Sequence, residues 1–130
     1  MEDSIFTKII KGELPCYKLY EDEQTLAFLD IHPIQPGHTL VIPKVQVDKF
    51  YELDDDVYQA VMATVKKVAR HLETVLEQRV GMLVVGVDVP HAHIQLIPFS
   101  DAAQIYSHQD MTAEPDHDSL ATMAKRLTLA

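Results

Sequence analysis

The chain has a single cysteine, Cys16, among its 130 residues. A lone cysteine cannot form an internal disulfide or build a thiolate metal cluster, so the sequence indicates a reducing compartment. The chain also has no apolar run near the ~20 residues needed to span a bilayer, and no charged-then-apolar leader. We therefore expect a cytoplasmic protein with no membrane partner.

Basic residues are also few. There are 11 lysines and arginines against 20 aspartates and glutamates, which gives a formal net charge of −9 at pH 7. Binding to DNA or RNA draws much of its affinity from basic side chains that neutralise phosphates. We therefore expect no nucleic acid partner, whereas a small anionic ligand would have to be held by local hydrogen-bond donors.

The residue pattern divides the chain into short elements and one long helix. Ser4 as an N-cap and Gly12 as a stop bound a short first helix, and apolar residues at three- and four-residue spacing predict a long helix from about Asp55 to Gln78. Strands are predicted over residues 17–21, 25–31, 38–43, 80–87 and 91–99, and a last short helix over residues 116–127.

These elements predict one α+β domain over residues 1–130, with an antiparallel sheet of about five strands, one long helix and short terminal helices. The hydrophobic content of 47% is enough for a single core. At 1.5 Å per residue the long helix would measure roughly 36 Å. A helix of that length lies across a sheet or extends into a partner, so we expect a homodimer.

The segment Pro90–Pro98 concentrates the reactive side chains of the sequence. Successive side chains of a β-strand point to opposite faces, so a strand here would place His91, His93 and Gln95 on one face and apolar residues on the other. We therefore predict that one face of this strand carries the reactive side chains and that the other face packs into the core.

Three interpretations of the two histidines stay open from the residues alone. They can be polar residues of a half-exposed strand. They can share a metal with a third ligand such as Asp88 or His38, although further ligands at the expected spacing are missing, so we expect no metal. Finally, a neutral imidazole can attack an electrophile while Gln95 offers an amide N–H to a phosphoryl oxygen.

Residues His91–Ile97 resemble the signature of the histidine-triad (HIT) superfamily. That signature has seven positions. Histidines stand at the first and third positions, histidine or glutamine stands at the fifth, and the other four positions are apolar. Three other stretches resemble further blocks of the family in the same order: residues 4–15 (SIFTKIIKGELP), 27–33 (AFLDIHP) and 36–44 (PGHTLVIPK). The resemblance spans roughly residues 4–99.

The resemblance implies a HIT-like fold and an enzyme that needs no cofactor. Its reaction would be hydrolysis or transfer at the α-phosphate of a purine nucleotide conjugate, such as a nucleoside phosphoramidate or a dinucleoside polyphosphate, through a nucleotidyl-histidine intermediate. His93 would be the nucleophile, and His91 and His38 its hydrogen-bonding support. The residues that match the family's nucleotide-binding positions are Phe6, Ile9, Phe28, Asp30 and Ile31, with Asp30 matching the carboxylate that accepts hydrogen bonds from the ribose hydroxyls.

One departure from the family pattern concerns the reaction. Gln95 stands where hydrolase members carry a third histidine. Transferase and phosphorylase members have a glutamine at this position. A glutamine cannot supply a proton to a leaving group. The sequence is therefore compatible with nucleotidyl transfer or slow turnover, and the alternative is a catalytically weak nucleotide-binding module.

Other departures concern metal and phosphate. Members with structural zinc carry two cysteines and a histidine where this chain has Ser4, Thr7 and Gln46, so no zinc is expected. Many members also have a Gly-rich loop before the signature, whereas here only Gly86 precedes it. The phosphate contacts would then come from His93, Gln95 and backbone N–H groups.

Overall fold

An antiparallel sheet of five strands forms the frame of the protein in a computed structural model that describes residues 2–129. Met1 and Ala130, the ends of the predicted 1–130 domain, lie outside the described residues. The strands are β1 (Lys18–Glu21), β2 (Thr25–Leu29), β3 (Thr39–Pro43), β4 (Arg79–Leu83) and β5 (Ile94–Phe99). Their order across the sheet is β1-β2-β3-β5-β4, and all neighbours are antiparallel. The predicted α+β class with about five strands is confirmed.

Three α-helices accompany the sheet: α1 (Ile5–Ile10), α2 (Asp55–Leu76) and α3 (His117–Leu127), with short 3₁₀ turns at Phe50–Glu52 and Ala102–Tyr106. The Ser4 side chain accepts a hydrogen bond from the Thr7 N–H and so caps α1, as predicted. Asp116 caps α3 in the same way through the Ser119 N–H. No helix of residues 2–129 has the length and apolar character that a bilayer crossing needs.

The long helix α2 lies across the sheet, where it contacts β2, β3, β4 and β5. Its buried stripe, Val61, Val65, Val68 and Leu72, repeats at three- and four-residue spacing and faces the strands. The length of α2 is therefore accounted for within one chain. That length does not by itself support the expected homodimer.

Both faces of the sheet are covered. The larger core lies between the sheet and α2, and a smaller cluster packs α1 against the opposite face. The smaller cluster consists of Phe6, Leu26, Phe28, Leu40 and Ile42. Every residue of β2 and β3 is buried, because these central strands are packed on both faces.

The strand predictions around the histidines are wrong in their bounds. β4 ends at Leu83 and β5 begins only at Ile94, so a ten-residue irregular connection replaces the predicted short turn. Pro90 has no N–H to give to a ladder, and the Ala92 N–H donates to the Val47 carbonyl at 2.6 Å instead of to a neighbouring strand. Residues 91–93 therefore lie outside the ladder of the sheet.

The loop that enters β3 turns at Gly37, which has a φ of +92°. A Cβ there would lie 2.8 Å from Leu76 Cδ1 and 3.2 Å from Pro98 Cγ. Gly12 also has a positive φ, +80°, but a Cβ there meets no heavy atom within 4 Å. A side chain would be strained by the backbone at both positions, but it would be crowded by neighbouring atoms only at position 37.

We expect Gly37→Ala to lower the free energy of unfolding more than Gly12→Ala does. The left-handed backbone costs an alanine about 1–2 kcal/mol at either position. Only the alanine at position 37 must also displace packed side chains. Urea unfolding of both variants measures the difference. Equal losses would show that the crowding around Gly37 is relieved at no cost.

Candidate active site

A cavity of about 760 Å³ opens between α1, the carboxyl end of β2, the connection before β5 and the segment that follows the second 3₁₀ turn. This volume is in the range of small-molecule sites. The predicted site residues that line it are Phe6, Ile9, Phe28, Asp30, Ile31, His93 and Gln95. The other two, His38 and His91, are fully buried.

His93 is half-buried at the edge of the cavity. Its Nδ1 lies 2.8 Å from the carbonyl oxygen of His91. Because a carbonyl can only accept, Nδ1 carries a proton, and in the neutral ring Nε2 keeps its lone pair. Nε2 has no hydrogen-bond partner among residues 2–129, so it is free to attack a bound electrophile. The ring of Phe6 packs edge-on against the imidazole at 5.1 Å.

The ring of His91 packs against the same Phe6 ring as His93, with centroids 5.9 Å and 5.1 Å from it, so both histidines lie on the α1 side of the sheet, which agrees with the predicted common face. The His91 ring lies in the interior, where Nε2–H donates to the Pro43 carbonyl at 2.8 Å and Nδ1 accepts from the Ser4 hydroxyl at 2.9 Å. His91 therefore contacts His93 through its backbone oxygen, and its ring holds that oxygen in place.

Ser4, Thr7 and Gln46 form a hydrogen-bonded cluster behind His91. The Thr7 hydroxyl donates to Gln46 Oε1 at 2.7 Å, and the Ser4 N–H donates to the same oxygen at 2.8 Å. The sequence identified Ser4 as an N-cap and all three positions as lacking zinc ligands, but it did not predict the cluster. Among residues 2–129, no three His, Cys, Asp or Glu side chains converge as a metal site would require.

His38 supports Gln95 rather than His93. Its Nδ1 accepts from the Ile34 N–H at 3.0 Å, so the proton is on Nε2, which donates to Gln95 Oε1 at 2.9 Å. With its oxygen engaged, Gln95 has its amide N–H groups left for a ligand in the cavity. His38 therefore bonds to Gln95, where the resemblance implied a hydrogen bond to His93.

Asp30 follows β2 at the wall of the cavity. Its Oδ1 accepts from the His32 N–H at 2.8 Å, and its Oδ2 accepts from Gln109 Nε2 at 2.9 Å. Sequence reasoning missed Gln109, because nothing in the polar stretch after β5 signals a contact with a residue 79 positions earlier.

Burial keeps both interior histidines neutral. Removal from water disfavours the charged ring and lowers the pKa of His38 and of His91 below the ordinary value of 6.5. For His38 the nearby Asp30 carboxylate, whose Oδ2 lies 3.7 Å from Nε2, works against this shift but is outweighed by burial.

Residues 11–102 of the chain match the HIT domain family. An uncharacterised HIT-like protein of Borreliella burgdorferi is 41% identical over 106 residues, which cover 75% of this chain and 76% of that protein. The adenosine 5′-monophosphoramidase of Schizosaccharomyces pombe is 42% identical over 98 residues, 72% of each chain.

A solved structure agrees with the fold. The crystal structure of a HIT-like protein of Bartonella henselae superposes with a TM-score of 0.84 at 27% identity. The match covers 96% of this chain and 93% of that one.

The lowered pKa values predict how stability depends on pH. Below pH 6.5 the unfolded chain binds protons that His38 and His91 do not bind in the folded protein. Their contribution to stability is therefore present above pH 6.5 and is lost as the pH falls through the folded-state pKa.

We expect the free energy of unfolding in urea to fall between pH 7 and pH 5, with the same slope in His108→Ala, which alters an exposed histidine. Ring C–H signals in NMR should show His38 and His91 uncharged at pH 6.5. Constant or rising stability toward pH 5 would contradict the buried neutral pair.

Proposed function

Because the chain belongs to the HIT domain family, we propose that it is a nucleotide hydrolase or nucleotidyl transferase that acts at the α-phosphate of a purine nucleotide conjugate. The observation that carries this proposal is the tautomer of His93, since its proton on Nδ1 leaves Nε2 free at the cavity. The S. pombe relative is named an adenosine 5′-monophosphoramidase, which favours a nucleoside phosphoramidate as substrate.

In the first step His93 Nε2 attacks the α-phosphorus. An N–P bond forms, the bond from phosphorus to the leaving group breaks, and its electron pair departs with the leaving group. The imidazole gains positive charge as it attacks, and the His91 carbonyl that accepts the Nδ1 proton stabilises that charge. The product is a nucleotidyl-histidine intermediate.

In the second step water or another acceptor attacks the same phosphorus. The N–P bond breaks, its electron pair returns to Nε2, and the nucleotide leaves on the acceptor, which loses its proton. The Gln95 amide N–H donates to a non-bridging phosphoryl oxygen in both steps, since its own oxygen is engaged by His38. Phe6, Ile9, Phe28 and Ile31 would bind the base, and Asp30 would accept from the ribose.

A second candidate function follows from the same glutamine. Gln95 has no ionisable proton, so the leaving group must be protonated by water or bring its own proton. If that step is too slow, the protein binds nucleotides without useful turnover. The two candidates share the cavity and differ in whether the covalent intermediate forms.

Replacement of the nucleophile separates these candidates. With adenosine phosphoramidate, with and without inorganic phosphate as acceptor, we expect wild-type turnover and a loss of about a thousandfold or more in His93→Ala. His71→Gln, on α2 and outside the cavity, is the matched control. Intact mass measured without acid should show one adenylyl group on the wild type only.

Turnover that survives His93→Ala would remove the enzyme assignment. A wild type that binds AMP but shows neither turnover nor the adduct would be the binding module.

We also propose that two copies pair through β4. This strand is at the edge of the sheet, where backbone groups lack a partner strand. Apolar side chains on it and after it are exposed: Met82 by 55%, Val85 by 59% and Val87 by 82%. A second β4 edge is the occupant that matches both the unpaired backbone and the apolar side chains.

Light scattering tests this pairing. We expect the mass of a dimer for the wild type and of a monomer for Met82→Lys, because a charge at the edge opposes pairing. Val45→Lys changes an exposed valine elsewhere and should remain dimeric. A monomeric wild type at micromolar concentration would refute the pairing.

A further inference from the structure

The outer wall of the cavity is built by the segment of residues 107–111, which follows the 3₁₀ turn Ala102–Tyr106. Four of its residues line the cavity: Ser107, His108, Gln109 and Met111. The segment lies beyond residues 11–102, the range that matches the HIT domain. The family match therefore assigns no role to this segment.

One side chain of this segment, Gln109, hydrogen-bonds to the residues that follow β2. Gln109 Nε2 donates to Asp30 Oδ2 at 2.9 Å and to the His32 carbonyl at 2.8 Å. Both partners are oxygens without a hydrogen, so the amide nitrogen must face them and both of its protons are used. The orientation of the carboxamide is thus determined by its partners.

The carboxamide oxygen of Gln109 is left as an acceptor. Oε1 has no hydrogen-bond partner among residues 2–129, and it is bonded to the same carbon as the nitrogen that contacts Asp30. Amide geometry therefore puts a neutral amide oxygen within a few ångströms of the Asp30 carboxylate, and both residues line the cavity. Two adjacent acceptors match a ligand with two adjacent hydroxyl donors.

Gln109 is part of the wall and does not fill the cavity. The volume of about 760 Å³ is present with the Gln109 side chain in place. Asp30 also has acceptor capacity left, because an ionised carboxylate has about four lone-pair sites and Gln109 and His32 each use one. A nucleoside can then bind without breaking the contact between Gln109 and Asp30.

We propose that Gln109 determines specificity for ribose: its Oε1 accepts the 2′-hydroxyl of a ribonucleotide while Asp30 accepts the neighbouring 3′-hydroxyl. The Nε2 hydrogen bonds position both acceptors relative to each other. This role rests on the proposed nucleotide-binding function and adds to it a preference for ribonucleotides over 2′-deoxyribonucleotides.

Calorimetric titration with AMP and 2′-deoxy-AMP tests the proposal. The wild type should bind AMP about tenfold more tightly than 2′-deoxy-AMP, a difference of the size expected for one hydrogen bond. Gln109→Ala should weaken AMP binding about tenfold and reduce the preference to under about twofold. Gln78→Ala changes a glutamine that donates to Ser100, outside the cavity, and should behave as the wild type.

The isosteric Gln109→Glu provides a second test without loss of volume. It places a carboxylate against Asp30 and removes both N–H donors, so AMP should bind more weakly than to Gln109→Ala. With adenosine phosphoramidate, both variants should raise KM and leave kcat within about twofold, because Gln109 contacts neither His93 nor Gln95. Unfolding midpoints near that of the wild type confirm that the variants fold.

Coupling between the two acceptors gives a third measurement. In the background Asp30→Asn, the change Gln109→Ala should cost less than about threefold in AMP affinity, because the two side chains act as one unit.

Three results would overturn the proposal. Equal weakening of AMP and 2′-deoxy-AMP would make Gln109 a wall residue only, and tighter binding by Gln109→Ala would make it a competitor of the ligand. Wild-type affinity in Gln109→Ala would remove its role altogether and leave the proposed function intact. A wild type that binds neither nucleotide would overturn the proposed function and this inference together.

Discussion

The hydrogen bond from His93 Nδ1 to the His91 carbonyl is the interaction on which the site depends. It decides which nitrogen of His93 is free, and it is available only because that carbonyl has a defined position. The ring of His91 provides this position, clamped between the Pro43 carbonyl and the Ser4 hydroxyl. The end of β3 and the cap of α1 therefore determine the tautomer of a residue in a distant part of the chain.

The backbone is irregular just before β5. The Ala92 N–H donates to the Val47 carbonyl, which takes residues 91–93 out of the ladder. The Ser4, Thr7 and Gln46 cluster then satisfies the buried groups that the irregular segment brings inside, as buried polar groups require.

The charges of the site agree with the acidity of the whole chain. No lysine or arginine is among the described residues that line the cavity, whereas two aspartates, Asp30 and Asp88, are. In the proposed reaction an anionic phosphoryl group would meet neutral donors, the Gln95 amide and backbone N–H groups, and the positive charge that develops on His93. Such a site would stabilise the phosphoryl group more during attack than before it.

The sequence by itself determined the fold class, the caps and buried stripes of the helices, and seven of the residues that line the cavity, because these follow from local spacing and from motifs with a fixed order. Alternation also predicted that His91 and His93 share a side of the sheet, and both rings contact Phe6. The sequence could not predict that His91 is fully buried and bonded to Pro43 and Ser4 while His93 borders the cavity. The Gln46 and Gln109 contacts had no local signal either, since each joins parts of the chain that meet only in the folded protein. Local periodicity determined which residues are buried, whereas only the tertiary structure decided which buried polar groups pair, and those pairs decide which nitrogen can react.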